Sequence, residues 1–228
     1  MIPPLIVRRA LELDLGMIAV TDHNTTDNVM AVRDAAAGTG LRVLPGMEVQ
    51  TREDAHIVCL FETVAQVVSW EEIVYAHLPD VSNDAEALGA QFVVDETGDF
   101  VRMNERLLLT ATSLSTEDVV ELVGSLGGLT IAAHVDRQAF SILASLGFLP
   151  PGLRLDAVEI SRHAAPQDVL RQHPSVAGLP MVTSGDAHRL SEMRAATLVT
   201  VRAPTLEELA LALQGVGGRS IEILSRDQ

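Results

Sequence analysis

An α/β fold with a largely parallel sheet is the fold class that this 228-residue sequence predicts. Short apolar runs of strand length alternate along the chain with segments of helical periodicity. Glycine and proline residues separate many of these segments. Several apolar runs end on ionisable residues, as strands do where their carboxyl ends line a site. The pattern is compatible with an open doubly wound sheet or with a barrel.

Capping and turn residues mark the boundaries of the predicted elements. Pro3–Pro4 suit the first turn of an opening helix, Ser115 with Asp118 resembles a capping box, and Thr205 with Glu208 caps the last helix. In chain order the sequence predicts a helix from residue 3 that Gly16 closes, a strand over 17–21, a helix over 28–37 capped by Thr25 or Thr26, strands over 42–49 and 56–61, a helix over 64–77, a helix from Ser115 to the glycines at 127–128, strands over 129–134 and 155–161, a helix over 166–172, strands over 180–185 and 195–201, the last helix, and a strand over 220–224.

A less regular stretch interrupts this alternation. Residues 91–103 resemble a hairpin that turns at Thr97–Gly98. We therefore predict a single domain over residues 1–228, in which residues 78–112 are an insertion that carries the hairpin.

Charge and cysteine content limit the classes of function. The chain carries 16 Lys and Arg against 31 Asp and Glu, a formal net charge of −15. We therefore expect no broad basic face for duplex nucleic acid, and an anionic substrate needs local positive charge from arginine or a bound metal. Cys59 is the only cysteine, which excludes an intramolecular disulfide and fits a reducing cytoplasm. No apolar run is long enough to span a bilayer, so we expect no membrane partner.

Imidazole and carboxylate side chains stand at the ends of five predicted strands. Because the loops beyond the carboxyl ends of parallel strands meet on one face, we expect these residues to converge. His56 is the exception, since it opens its strand and reaches that face only if the strand runs antiparallel or bulges. The residues are Asp22 and His23 after the first strand, Glu48 and His56 on the next two, His134 at the end of 129–134, and Asp186 with His188 after 180–185.

Each of these residues alone also has a structural interpretation. A single histidine at a strand end is more often structural than a ligand, and Glu48 after Pro45–Gly46 is compatible with a solvated turn. As a set, the four imidazoles together with the carboxylates of Glu48 and Asp186, all close to apolar runs, are costly to desolvate without compensation. A metal supplies it, and nitrogen and oxygen ligands without thiolate favour Zn²⁺, Mn²⁺ or Fe²⁺. Two close ions activate water and offset charge on phosphoryl oxygens, so the set predicts a hydrolase.

The motifs resemble those of the PHP (polymerase and histidinol phosphatase) family in order and spacing. The matching stretches are TDHN at 21–24, PGMEV at 45–49, HIVCLF at 56–61, AAHVDR at 132–137 and SGDAH at 184–188. The resemblance covers nearly the whole chain and is greatest to the small stand-alone phosphoesterases, some of which hydrolyse 3',5'-nucleoside bisphosphates or trim short RNA from the 5' end. It implies a distorted seven-stranded β/α barrel, without its first strand in this chain, around a trinuclear metal centre.

The resemblance also implies roles for individual residues. The implied metal ligands are Glu48 as the bridge between two metals, Asp186 on the first metal, His56 and His134 on the second, and His23 and His188 on the third. Asp22 and Asn24 would be loop positions behind the ligands, where a carboxylate can orient a ligating histidine.

The sequence departs from the family at its front. Family members begin with a strand that carries H-x-H and a further Asp or His ligand, whereas this sequence contains no H-x-H. We expect the sequence to start at an internal methionine of a longer protein; the alternative is a variant with a reduced site. In the first case the missing strand leaves two unpaired sheet edges, so that an upstream extension would raise the melting temperature.

Three further residues stand where they could contact a substrate phosphate. Arg137 follows His134 by three positions and Arg189 is next to His188. A guanidinium group binds phosphate bidentately, although a surface salt bridge explains either arginine equally well. His163 ends a strand on the same face and could touch substrate or donate a proton.

These observations predict a metal-dependent phosphoesterase. We expect it to hydrolyse phosphate monoesters, or the 5' ends of small nucleotides and oligoribonucleotides, through metal-bound hydroxide. Its partner would be a small phosphorylated substrate, its metals Mn, Fe or Zn, and its compartment the cytoplasm. Histidinol-phosphate phosphatase and a PHP-like module without catalytic activity are the alternatives.

Overall fold

The computed structural model describes residues 1–224, in which helices and strands alternate along the chain. The helices are α1 (Pro3–Glu12), α2 (Val29–Ala35), α3 (Val64–His77), α4 (Ala85–Leu88), α5 (Thr116–Ser125), α6 (Ile142–Leu146), α7 (Pro166–Gln172) and α8 (Leu206–Leu213), with 3-10 turns at Pro174–Val176 and Leu190–Glu192. The strands are β1 (Met17–Val20), β2 (Arg42–Gln50), β3 (His56–Leu60), β4 (Phe92–Val94), β5 (Phe100–Met103), β6 (Leu129–Ala132), β7 (Ala157–Glu159), β8 (Met181–Val182), β9 (Thr197–Thr200) and β10 (Ser220–Ile223). Within these 224 residues, every helix is too short or too polar to cross a membrane.

Six of the strands form one sheet, in the order β1-β2-β3-β6-β7-β8. β1 is parallel to β2, and β6, β7 and β8 are parallel to one another. β3 runs antiparallel to both of its neighbours. The α/β class agrees with the prediction, whereas the largely parallel sheet is corrected at β3. This reversal places His56, the first residue of β3, opposite the last residue of β2, Gln50.

The sheet is covered on both faces, which explains why its strands read as nearly continuous apolar runs. Ile57 and Cys59 of β3 belong to a buried cluster with Trp70 of α3. Leu60, which points to the other face, packs in a second cluster with Leu209 of α8. Successive side chains of a strand point to opposite faces. The central strand is therefore desolvated on both sides, and its polar first residue lies at the rim of the sheet.

Two small sheets lie outside the main one. β9 and β10 pair antiparallel, and β4 and β5 form an antiparallel hairpin at the place where the sequence predicts one. The hairpin is fastened to the start of α2, because the Asn28 side chain accepts a hydrogen bond from the Val94 amide at 3.1 Å and donates one to the Phe92 carbonyl at 3.2 Å. The division into a domain with an insertion over residues 78–112 stays a prediction.

Local capping is as predicted at three helices and different at one. Both partners of the Ser115–Asp118 capping box are in place. The predicted capping of α2 by Thr25 or Thr26 is wrong, because Asn28 precedes its first residue and both hydroxyls donate to Glu71 of α3 instead, at 2.9 and 2.7 Å. The Thr25 hydroxyl oxygen accepts a hydrogen bond from the Asp27 amide at 3.2 Å, which lies before the helix begins.

Candidate metal centre

Glu48 lies at the centre of a cluster of histidines. The carboxylate is 7% exposed. Its Oε1 lies 3.1 Å from Nδ1 of His56 and 3.4 Å from Nε2 of His134, and its Oε2 lies 3.5 Å from Nδ1 of His23. Burial by itself raises the pKa of the Glu48 carboxyl, but hydrogen bonds from His134 and His56 and the nearby His23 outweigh it and hold that pKa well below its usual range. Glu48 is therefore a buried carboxylate group that stays ionised.

The strand arrangement explains why these residues meet. His23 follows β1 and forms an isolated parallel bridge with Glu48, so that the end of β1 lies beside the end of β2. His56 enters from the other side because β3 is antiparallel, and its carbonyl accepts a hydrogen bond from Ala133 at 3.0 Å. His134 lies in the turn that follows β6. The difficulty that the sequence poses for His56 is thus resolved by strand direction and not by a bulge.

The donor atoms of this cluster fit a divalent cation. His23, Glu48 and His56 each offer one ligand atom, and these atoms lie within 4.8 Å of one another. Burial lowers the pKa of His23, which favours the neutral imidazole that a metal requires. Among residues 1–224, the buried Nδ1 of His134 has no hydrogen-bond partner. This is not the nitrogen that faces Glu48, which is Nε2. The fit to a cation rests instead on the neutral imidazole of His23 and the ionised carboxylate of Glu48, the protonation states in which these groups bind a metal.

Asp186 and His188 lie at the rim of the cluster, on the loop after β8. Oδ1 of Asp186 lies 3.8 Å from Nδ1 of His188, and the His188 ring centroid is 6.4 Å from that of His23. The His188 side chain is 69% exposed. Asp186 has a positive φ of +39°, and His134 one of +33°, which is uncommon for residues with a Cβ atom and is concentrated at functional sites. The structure therefore brings all six candidate ligands to one edge of the sheet, four inside and two at the rim.

The two residues expected behind the ligands are placed differently from one another. The Asp22 residue is exposed, and its backbone carbonyl accepts a hydrogen bond from the Glu48 amide at 3.2 Å. Asn24 is fully buried and donates to the carbonyls of Leu108 and Thr110 at 2.8 and 2.9 Å. Asn24 thus joins the loop of His23 to the segment after the hairpin.

The three residues expected to contact phosphate are at or near the surface. Arg137 forms an ion pair with Asp186, and its side chain is 45% exposed. Arg189 is exposed, and its backbone amide donates to the Glu192 carboxylate at 3.0 Å. His163 is exposed beyond β7, and its Nε2 accepts a hydrogen bond from Arg162 Nε at 3.0 Å. Arg137 is therefore in direct contact with a candidate ligand, Asp186.

Glu159 is a site residue that the sequence analysis missed. It is the last residue of β7 and is 6% exposed. Its carboxylate accepts hydrogen bonds from the Ser184 hydroxyl and, at 3.4 Å, from the backbone amide of His134. Burial raises the pKa of the Glu159 carboxyl, against the hydrogen bond from Ser184. The available signal was a carboxylate near the end of an apolar run with one more apolar residue, Ile160, after it, as Val49 follows Glu48.

Sequence comparison connects part of the chain to a known enzyme. No protein-family model matches the sequence. A stretch of 63 residues, 25% of the chain, is 38% identical to the 5'-3' exoribonuclease Rnm of Salmonella typhimurium. This stretch spans only 22% of the length of that relative.

Solved structures share the fold over nearly the whole chain. The lesion-specific endonuclease PfuEndoQ from Pyrococcus furiosus matches 97% of the chain with a TM-score of 0.67 and 20% identity, and the chain spans 53% of that protein. A two-domain protein from Bacteroides vulgatus, which contains a predicted PHP-like metal-dependent phosphoesterase, matches 99% of the chain with a TM-score of 0.53 and 14% identity, and the chain spans 60% of it.

One structure overturns the expectation about nucleic acid. This is the structure of endonuclease Q in complex with a 27-mer duplex substrate that has an abasic lesion at the active site. It matches 96% of the chain with a TM-score of 0.66 and 18% identity, and the chain spans 53% of it. The prediction that the net charge excludes duplex nucleic acid as a partner is therefore wrong. The charge of the whole chain does not report the local electrostatic potential at a metal site. The PHP resemblance and the fold class predicted from the motifs are confirmed: the chain has the fold of PHP-like metal-dependent phosphoesterases and nucleases.

Proposed function

We propose that this protein is a metal-dependent phosphoesterase whose active centre is built around Glu48. The observation that carries the proposal is the contact of one buried carboxylate with imidazoles from three separate parts of the sheet, His23, His56 and His134. Burying such a group of donors is costly unless a cation compensates for the lost hydration. The shared fold with phosphoesterases and nucleases supports the same chemistry.

The ligand set divides into an inner and an outer group. The residues that would hold metal are Glu48, His23, His56 and His134 inside, and Asp186 and His188 at the rim. Mn²⁺, Fe²⁺ and Zn²⁺ all suit this mixture of nitrogen and oxygen donors. When bound, such ions lower the pKa of water and offset the charge that develops on phosphoryl oxygens.

Arg137 is the residue of the chain best placed to orient the substrate phosphate. Its guanidinium already lies on the carboxylate of Asp186 at the rim. A fork of N–H donors at this position would bind two phosphate oxygens and direct the phosphorus toward the inner ligands. Arg189 and His163 are further candidates for contact with the leaving group, on the strength of their positions after β8 and β7.

We propose 5'-phosphorylated nucleotides or nucleic acid ends as the substrate class. The support is the partial identity to an exoribonuclease and the common fold with an endonuclease.

We propose the cytoplasm as the compartment of the protein. Cys59 is fully buried, and burial raises the pKa of its thiol, so the side chain is unreactive in that compartment or any other.

Metal content and turnover together test the proposal. Purified protein is loaded with Mn²⁺, Fe²⁺ or Zn²⁺, its metal content is measured by mass spectrometry, and release of phosphate or mononucleotide is followed with nucleotides, short RNA and duplex DNA. Glu48→Gln keeps the shape of the side chain but removes the charge that the ligands share. We expect it to lower turnover by at least about 100-fold and to reduce bound metal.

Glu121→Gln, an exposed substitution on α5, is the matched control and should leave both quantities unchanged. Normal kcat and metal content in Glu48→Gln would contradict the proposal. A folded wild-type protein that binds no metal and hydrolyses none of these esters would favour the alternative of a non-catalytic module.

A further inference from the structure

Phe140 occupies an unusual position beside the metal centre. Its ring stacks on the imidazole of His56, with ring centroids 5.0 Å apart and an angle of 18° between the planes. Phe140 is nevertheless 49% exposed. His56 thus lies against one side of the ring, while about half of the residue is open to solvent. An aromatic face is therefore presented at the mouth of the site.

The backbone holds this ring in a conformation that phenylalanine rarely adopts. Phe140 has a φ of +56°, and an aromatic residue with positive φ is an outlier whose strain must be held by its surroundings. The Phe140 carbonyl accepts the amide of His56 at 3.0 Å. The next residue, Ser141, donates its hydroxyl to the Arg137 carbonyl at 2.7 Å and caps α6. Hydrogen bonds on both sides thus fix the turn that carries the ring.

Packing alone does not explain this arrangement. A phenylalanine that stabilises a core is buried, whereas Phe140 leaves half of its surface in water. The same turn carries Arg137, which contacts Asp186. A cation suited to phosphate and an aromatic face suited to a flat apolar group therefore lie on one short segment, each in contact with a different candidate metal ligand.

We propose that Phe140 is the stacking platform for a nucleobase of the substrate and determines its specificity. Stacking on an aromatic side chain accepts any base, because every base has a π face. The site would then select phosphoesters that carry a base near the scissile phosphate over plain sugar phosphates. This inference deepens the proposed function and rests on it.

Two probes that differ only in the base test the inference. Adenosine 5'-monophosphate and ribose 5-phosphate share the phosphorylated ribose, and their binding is measured by calorimetry with the Mn²⁺-loaded protein and the methylene phosphonate analogue of each, which cannot be hydrolysed. We expect the wild type to bind the nucleotide at least about tenfold more tightly. Phe140→Ala should remove most of this preference and leave the dissociation constant of ribose 5-phosphate within about twofold.

Further variants separate stacking from simple coverage of His56. Phe140→Trp keeps a π face and should retain the preference, whereas Phe140→Leu keeps apolar volume without one and should behave like the alanine variant. Phe148→Ala, another exposed phenylalanine, should change neither constant. Thermal melts verify that each variant is folded.

Two results would overturn the inference: equal binding of both probes by the wild type, or an equal weakening of both by Phe140→Ala. Phosphate release is measured separately, so the two proposals can fail independently. Base-dependent binding without any ester hydrolysis would refute the proposed function alone. Hydrolysis with the same efficiency for both probes would refute the stacking role alone.

Discussion

At the scale of single residues, the site depends on contacts that link its loops. The Glu159 carboxylate accepts hydrogen bonds from the Ser184 hydroxyl and the His134 amide. The Ser184 hydroxyl in turn accepts a hydrogen bond from the Asp186 amide at 3.2 Å. One buried carboxylate therefore connects the loop of an inner ligand, His134, with the loop of a rim ligand, Asp186. Both of these ligands have positive φ, so their backbones need such support.

Removal of this link should weaken metal binding without removing a ligand. We expect Glu159→Ala to lower Mn²⁺ affinity by about 10- to 100-fold, the usual effect of losing a group that orients ligands, while Glu159→Gln retains one acceptor and shows a smaller loss. Calorimetric titration with Mn²⁺ measures both. Glu222→Ala, exposed on β10, serves as control, and an unchanged Mn²⁺ affinity in folded Glu159→Ala would refute the link.

The candidate ligands could be predicted from the sequence because each stands next to an apolar run. The roles of Glu159 and Phe140 could not be predicted, although Glu159 also stands in an apolar run, and the physical reason differs between the two residues. The importance of Glu159 lies in which backbone amide and hydroxyl reach it, and these belong to the loops after β6 and β8. The importance of Phe140 lies in a positive φ and a ring stacked on His56, neither of which leaves a spacing pattern in the chain.

At the scale of secondary structure, close approach between elements limits what the sheet tolerates. Gly128 precedes β6, and a Cβ atom built there would lie 2.6 Å from the ring of Phe61, 2.7 Å from Val123 and 2.9 Å from the Leu60 carbonyl oxygen. By contrast, a Cβ atom at Gly124 of α5 would meet nothing within 4 Å. A side chain at Gly128 would therefore clash with its neighbours, whereas a side chain at Gly124 would not.

This contrast gives a paired prediction. Gly128→Ala should destabilise the protein by about 1–3 kcal/mol, since the backbone oxygen of Leu60 cannot move aside as a side chain could. Gly124→Ala should stabilise it by about 0.5–1 kcal/mol through helix propensity. Chemical denaturation measures both free energies of unfolding. A neutral Gly128→Ala would show that β3 and β6 adjust their spacing freely.

Local signals in the sequence predicted local structure well at this scale. The capping box at Ser115 needs only two residues three positions apart, and it is present. The capping of α2 was wrong because the helix begins only at Val29, and the hydroxyls of Thr25 and Thr26 instead link this loop to Glu71, far along the chain. The antiparallel direction of β3 was predicted only as an alternative to a bulge, since an apolar run does not encode the direction of its neighbours.

At the scale of the whole molecule, the metal is expected to contribute to stability as well as to catalysis. The cluster around Glu48 concentrates ionisable groups at one edge of a sheet whose two faces are covered by apolar clusters. A cation that binds only the folded chain stabilises it by mass action.

Free Mn²⁺ at about 100 times its dissociation constant should stabilise the fold by about 2.7 kcal/mol. For a chain of this length, that corresponds to a rise in Tm of about 5–10 °C. Scanning calorimetry with and without the metal measures the shift, and a chelator should reverse it. The same titration of Glu48→Gln should show a much smaller shift; an equal shift in both proteins would locate the stabilising metal elsewhere.

The reversed strand also has a consequence for how the centre assembles. Because β3 runs antiparallel to β2, a short turn joins them, in which the Thr51 amide donates to the Ala55 carbonyl at 2.8 Å. Glu48 and His56, only eight residues apart, therefore meet within a single hairpin. The loop-closure entropy of bringing this pair together is smaller than for either pairing of Glu48 with His23 or His134, which lie farther away along the chain. Half of the inner ligand set is thus encoded by contacts of low contact order, whereas the other half depends on the topology of the complete sheet.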